Sequence, residues 1–139
     1  MRVAVVVARF NDFITERLLE GATAALAEAG LSGDSVEVLR VPGAFEIPIA
    51  AQRLAETGQV EAVICLGCLI RGATPHFEYI ASACAHGITA AAASTGVPMA
   101  FGVLTTNAAE EALERVPGIE AADEGDGQPC ACLLDARCR

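Results

Sequence analysis

The run GCLIRGATPHFEYIA, Gly67 to Ala81, sets His76 after two glycines, Gly67 and Gly72, and a Thr-Pro step. Imidazole is the side chain whose ordinary titration falls near physiological pH, so beside a bound anion it can take up and return protons. The loop Arg71 to Pro75 would itself hold the anion. It leads into a helix start, whose unpaired N–H groups and dipole attract negative charge without any lysine. Alone, His76 would read as a surface residue at a helix start; with Arg71, Gly72 and Thr74 beside it, it reads as chemistry. His86 lies well inside the same helix and has no such setting.

Alternating strands and helices must deliver these residues to one edge. Val3 to Ala8 (VAVVVA) is a short continuous β-branched run, the pattern of a strand buried on both faces. A helix follows, capped by Asn11 or Asp12, with Ile14, Leu18, Ala22, Ala25, Leu26 and Ala29 as its apolar stripe and Gly30 as its stop. Val36 to Val41 is a second strand, Ile47 to Glu56 a second helix with Pro48 in its first turn, and Ala62 to Ile70 a third strand. Thr74 is expected to cap a third helix that has Pro75 at its first position and runs to about Ala92. Pro98 to Leu104 gives a fourth strand, and Asn107 with Glu110 a capping-box-like start to a fourth helix that ends near Arg115. This alternation predicts right-handed crossovers and a doubly wound α/β protein, a four-stranded parallel sheet in a three-layer α/β/α sandwich.

Ligands of such sheets bind beyond the carboxyl ends of the strands. Those ends carry Arg9, Phe10 and Asn11, then Pro42 to Glu46, then Arg71 to Thr74 with His76. Phe10 is either core or a face offered to a planar ring, and Phe45 has the same two readings. Glu46 is a dipole partner of its helix or a hydrogen-bond acceptor for a ligand, and Arg71 an ion-pair residue or a ligand contact. Phe101, in the first half of the fourth strand, and Arg115, closing a helix that runs back toward the strand starts, both fall on the far side of their own subunit. They are a core residue and a helix C-terminal complement, or else they serve a neighbour's site.

The length of 139 residues suits one core. A net charge of −9 argues against a nucleic-acid footprint and against attraction to anionic lipid. Although 53% of the residues are hydrophobic, no run approaches the roughly 20 a membrane span requires. The start of the chain shows no signal-type pattern, so a soluble, cytoplasmic protein is expected. All 9 basic residues are arginine, which excludes a Schiff-base lysine and a P-loop lysine. Cys65 and Cys68 lie at an odd offset in a strand and point to opposite faces, against a shared zinc site. Cys130, Cys132 and Cys138 have no histidine nearby and read as free thiols in a reducing compartment. From Pro117 the sequence loses its period, which divides the chain into a domain over 1–116 and a loosely ordered tail over 117–139. A fifth helix beginning in Ile119–Asp123 or Ala131–Ala136 is the alternative.

The runs ARFNDFIT, VPGAFEIP, CLGCLIRGATPHFEYIA, GVPMAFGVLTTN and EEALER, in this order and spacing, resemble the 6,7-dimethyl-8-ribityllumazine synthases of riboflavin biosynthesis over about residues 2–116. The resemblance implies a flavodoxin-like sandwich assembling as a homopentamer, in some members as a shell of pentamers, with active sites between adjacent subunits. It implies a transferase that condenses 5-amino-6-(D-ribitylamino)uracil with 3,4-dihydroxy-2-butanone 4-phosphate, through an imine, releasing phosphate and water, without metal or organic cofactor. Carried over by position, Phe10 would stack on the pyrimidine, and Ala44, Phe45, Glu46, Cys68, Leu69 and Ile70 would line the place of the uracil and its ribityl chain. Ala73 and Thr74 would cradle the phosphate, His76 would move protons, and Phe101 and Arg115 would come from the adjacent subunit. Residues 117–139 lack the family's Asn-Lys-Gly turn and long final helix, and the chain opens directly on its first strand, which weakens the expectation of a shell. Two rival functions stay open: the archaeal type of riboflavin synthase, and a non-catalytic lumazine- or flavin-binding assembly protein.

Overall fold

The structure, a computed structural model, describes residues 1–116. The expectations for the tail, with Cys130, Cys132 and Cys138, lie outside the described residues. Along the chain come β1 (Val3–Ala8), α1 (Asp12–Glu28), β2 (Val36–Val41), α2 (Ile47–Glu56), β3 (Ala62–Ile70), α3 (His76–Thr95), β4 (Met99–Thr106) and α4 (Ala109–Glu114). Short 3₁₀ turns at Gly33–Ser35 and Ala44–Glu46 precede β2 and α2. The sheet is wholly parallel with strand order β2-β1-β3-β4. The expected α/β sandwich is therefore present.

Core composition explains the order. Every residue of β1 is buried and β3 is buried up to Ile70, as their continuous apolar runs predict for strands covered on both faces. Ala4, Val6, Val63 and Cys65 pack with Ile47 and Ala51 of α2 and with Cys84 and Ile88 of α3. On the opposite face Val5, Val7, Ile64 and Leu66 pack with Leu19 and Leu26 of α1, while Cys68 and Leu104 meet Ile14 of α1 and Ala112 of α4. Cys65 and Cys68 thus do fall on opposite faces. Burying each such aliphatic side chain contributes about 1.5–3 kcal/mol. An exposed ion pair such as Arg40–Glu16 is screened by solvent and adds little beside this, so apolar burial and not surface charge sets this arrangement. At the sheet edge β2 buries only Val41.

The structure departs from several sequence expectations. In the α1 stripe Ala29 is exposed, while Leu19 and Thr15 are buried; among the described residues the Thr15 hydroxyl has no partner. Thr74 does not cap α3. Pro75 holds the N-cap position with no side-chain cap, the helix starts at His76, and it continues to Thr95 before Gly96 closes it with φ 71°. β4 is shifted to Met99–Thr106. Neither Asn107 nor Glu110 forms the expected box at α4: Ala108 is the N-cap, and Glu111 Oε2 accepts the Asn107 N–H at 3.1 Å. The Asn107 side chain is instead recruited by Arg71, whose charged N–H makes the stronger bond.

Two glycines set the spacing of α2 against its neighbours. A Cβ on Gly67 would meet Ile47 Cδ1 at 3.1 Å, so the glycine lets the first turn of α2 seat on β3. A Cβ on Gly87 would meet Pro48 Cβ at 2.7 Å and Pro48 Cγ at 2.8 Å, and neither the rigid ring nor the helix backbone can yield cheaply. Alanine's better helix propensity returns only about 0.5–1 kcal/mol. Gly87→Ala is therefore expected to lower the unfolding free energy by about 1–2 kcal/mol through overpacking, read as a reduced urea midpoint.

Candidate active site

In the order β2-β1-β3-β4 the chain leaves β1 outward to β2 and returns over the sheet to β3, so the connections diverge between β1 and β3. A crevice beyond the carboxyl ends is expected there. A cavity of about 750 Å³ opens at that point, lined from four places. Phe10 comes from the end of β1, Pro42 to Glu46 from the β2–α2 turn, Leu69, Ile70, Gly72 and Thr74 from β3 and its loop, and His76, Phe77, Tyr79 and Ile80 from the start of α3.

Each wall is held by a specific local bond. Asn11 adopts the left-handed conformation with φ 60° and ψ 46°, where asparagine is tolerated, and its carbonyl accepts the N–H groups of Ile14 and Thr15. Its side chain does not cap α1; Nδ2 donates to the Cys68 carbonyl at 2.9 Å, fastening the β1–α1 turn to β3. Phe10, whose own N–H donates to the Pro42 carbonyl at 3.0 Å, is thereby set beside the strand ends, 68% exposed. Across the cavity Glu46 Oε2 accepts the Gly43 N–H at 3.0 Å and the Glu46 N–H returns to the Gly43 carbonyl at 3.3 Å. This reciprocal loop turns Phe45 outward, 62% exposed. Two uncovered phenylalanines therefore face a concave space that also holds a carboxylate and an imidazole.

Phe10, Ala44, Phe45, Glu46, Leu69, Ile70, Thr74 and His76 are brought together as the sequence suggests. Cys68 is not on this wall: it is buried on the α1–α4 face and offers only its carbonyl, to Asn11. Ala73 is exposed on the loop without lining the cavity. Phe101 is exposed on β4 and Arg115 is exposed at the end of α4, both away from this chain's cavity; Phe101 is thus not core. Sequence reasoning passed over Phe77, Tyr79 and Ile80. The signal was present, because Tyr79 and Ile80 stand three and four residues after His76, the spacing that shares one helix face.

The described residues match a known family across this whole region. The chain matches the family model described as 6,7-dimethyl-8-ribityllumazine synthase over residues 1–135. It is 54% identical over 125 residues to the 6,7-dimethyl-8-ribityllumazine synthase of Syntrophus aciditrophicus (strain SB), covering 90% of this chain and 80% of that protein. It is 48% identical over 124 residues to the enzyme of that name from Desulfatibacillum aliphaticivorans, covering 89% of this chain and 79% of that protein. The chain belongs to the 6,7-dimethyl-8-ribityllumazine synthase family. It is accordingly an enzyme, a transferase of riboflavin biosynthesis, and these relatives favour neither riboflavin synthase nor a non-catalytic scaffold. Among the described residues no helix of this lumazine synthase family member is long and apolar enough to cross a membrane, and no cluster of three or more His, Cys, Asp or Glu could hold a metal.

The thiols near the site are structural. Burial, with a smaller contribution from the nearby Cys84, pushes Cys65 up to about 12, and burial alone pushes Cys68 and Cys84 up to about 11. Below pH 9 the thiols are protonated whether the chain is folded or unfolded, and their burial costs nothing in ionisation. Above pH 9 only the unfolded chain releases those protons, so stability falls with rising pH until the folded thiols themselves titrate near 11–12. Urea unfolding is expected to show a loss of up to about 1.4 kcal/mol per thiol per pH unit above that point, and Cys84→Ala should flatten the slope. Asn11→Ala, which loses both the bond to Cys68 and the left-handed preference, is expected to cost about 1–2 kcal/mol in the same assay.

Proposed function

We propose that this cavity is the active site in which 5-amino-6-(D-ribitylamino)uracil condenses with 3,4-dihydroxy-2-butanone 4-phosphate to give 6,7-dimethyl-8-ribityllumazine, phosphate and water. The observation that carries the reading is the pair of uncovered phenylalanines, Phe10 and Phe45, opposed to His76 and Glu46 around one cavity at the switch point of the sheet. An aromatic face left open to water at a concave site is suited to a planar heterocycle. Phe10 stacks on the pyrimidine, while Glu46, with one oxygen committed to Gly43, keeps the other for the ribityl chain or ring. Ala44, Phe45, Leu69 and Ile70 close the walls, and Cys68 contributes through the backbone beside them.

The phosphate rests at the start of α3, against the loop with Ala73 and Thr74. Thr74 lines the cavity and α3 has no side-chain cap, which leaves its first N–H groups for an anion. His76, first residue of that helix, transfers protons as the imine forms, phosphate leaves and the ring closes. The phosphate also needs a cation, and this chain's Arg115 does not line its own cavity. Phe101 and Arg115 complete the site of an adjacent subunit in a homopentamer, a role supported by their exposure and by their absence from the lining of this chain's own cavity. Residues 1–116 carry this site, and the enzyme works in the cytoplasm.

Both substrates bring their own reactive groups, so orientation supplies most of the rate and His76 adds acid–base help. Formation of the lumazine from the two substrates is followed by absorbance, with the mass in solution measured in parallel. His76→Ala is expected to reduce kcat by roughly 10- to 10³-fold without changing the mass. Complete loss of turnover in an intact assembly would contradict this division of labour, and a monomeric wild type without turnover would end the reading.

A further inference from the structure

Arg71 has two readings in the sequence, ligand contact and ion-pair residue, and the structure engages it on every side. It stands where β3 passes into the loop Gly72–Pro75. Its NH1 meets Glu78 Oε1 at 3.0 Å, and its Nε donates to Asn107 Oδ1 at 2.9 Å. The guanidinium carbon lies 5.0 Å from the centroid of Phe77, and the Arg71 N–H donates to the Thr106 carbonyl at 2.8 Å. Because the Asn107 N–H donates to Glu111 Oε2 at 3.1 Å, a continuous chain of contacts joins the first turn of α3 to the first turn of α4. Arg71 itself does not line the cavity, whereas the Phe77 ring on which it rests does.

A single exposed ion pair would carry little weight. Here a planar fork reaches a carboxylate, an amide oxygen and an aromatic face at once, a set that lysine cannot satisfy. Glu78 supplies the electrostatic reason. It stands in the first turn of α3, two residues after His76, at the end where a dianionic phosphate is proposed to rest. A bare carboxylate there would occupy the favourable field of the dipole and repel the phosphate, and screening over about 8 Å does not remove repulsion within one helical turn.

We propose that Arg71 is a positioning residue: it holds the Gly72–Pro75 loop against β4 and cancels the charge of Glu78, so that the start of α3 can receive a phosphate. This rests on the phosphate site of the proposed function. Arg71→Ala leaves a loose loop and an uncompensated carboxylate, and removing the carboxylate should recover what repulsion costs.

The test measures KM for each substrate in the full chain, beside unfolding transitions that establish a folded protein. Arg71→Ala is expected to raise KM for the butanone phosphate about 10-fold or more, on the scale of an ångström of misplacement plus like-charge repulsion, with KM for the pyrimidine changed less than about twofold. Arg71→Ala with Glu78→Gln is expected to return within about threefold of wild type, and Arg71→Lys, which keeps charge but loses the fork, to fall between. Unchanged KM in Arg71→Ala would overturn the proposal. So would a double variant as weak as Arg71→Ala, the result expected if Arg71 itself bound the phosphate; should Arg71→Ala fail to fold, Arg71→Lys with and without Glu78→Gln decides the matter by the same recovery. If the wild type forms no lumazine, the proposed function fails, and Arg71 is judged by calorimetric titration with inorganic phosphate. Weakened binding in Arg71→Ala and recovery in the double variant support it; equal binding, or none in the wild type, overturns it.

Discussion

The close contact between Pro48 and Gly87 governs how the two walls of the proposed active site face each other. Pro48 belongs to the first turn of α2, directly after the Ala44–Glu46 turn, and Gly87 lies within α3, whose first turn carries His76. With no room for a Cβ between them, α2 and α3 approach as near as backbone and ring allow. The crossing is therefore a hard stop, not an adjustable apolar contact. Because Phe45 and Glu46 precede one helix and His76 begins the other, the separation of acceptor, aromatic face and imidazole is decided by packing in the core below them.

Above that stop the site is assembled from strand ends and turns, each fixed by one or two polar bonds. Asn11 reaches from the β1–α1 turn to the Cys68 carbonyl, Glu46 folds back on Gly43, and Arg71 reaches from β3 to Asn107. None of these bonds competes in magnitude with burial of β1 and β3. Their effect is directional: each stops one loop from moving while leaving its apolar side chain uncovered. A folded chain that exposes Phe10, Phe45 and Tyr79 around one concavity has not satisfied them internally, and a ligand or a neighbour is needed to cover them.

The sheet was legible because the runs that predict it are extreme. VAVVVA and AVICLGCLI have no alternation to misread, and both are buried on both faces. Helix termini were less legible, and for one recurring reason. Asn11, Thr74 and Asn107 all look like caps by residue type, yet Asn11 and Asn107 spend their side chains on distant partners and the α3 start carries no side-chain cap at all. Local capping rules assume no stronger tertiary bond is on offer, and at an active site one usually is. Most of the cavity wall followed from knowing which residues end strands. Cys68 failed as a side-chain contact because its position in β3 gives it the parity of Leu66, facing α1, and not that of Leu69.

A chain with a formal charge of −9 that handles a phosphate substrate has no long-range field to help it. Recognition must then be won within a few ångströms, which is what the proposed phosphate site offers. The start of α3 presents unpaired N–H groups, which carry partial positive charge without adding a titratable group. The acidic residue within its first turn, Glu78, is already paired with an arginine that is itself fixed by an amide and an aromatic ring. An arginine free to swing would serve the phosphate directly but leave Glu78 to oppose it. By holding Arg71 in place, the structure separates the work of removing local negative charge from that of binding an anion at the proposed site.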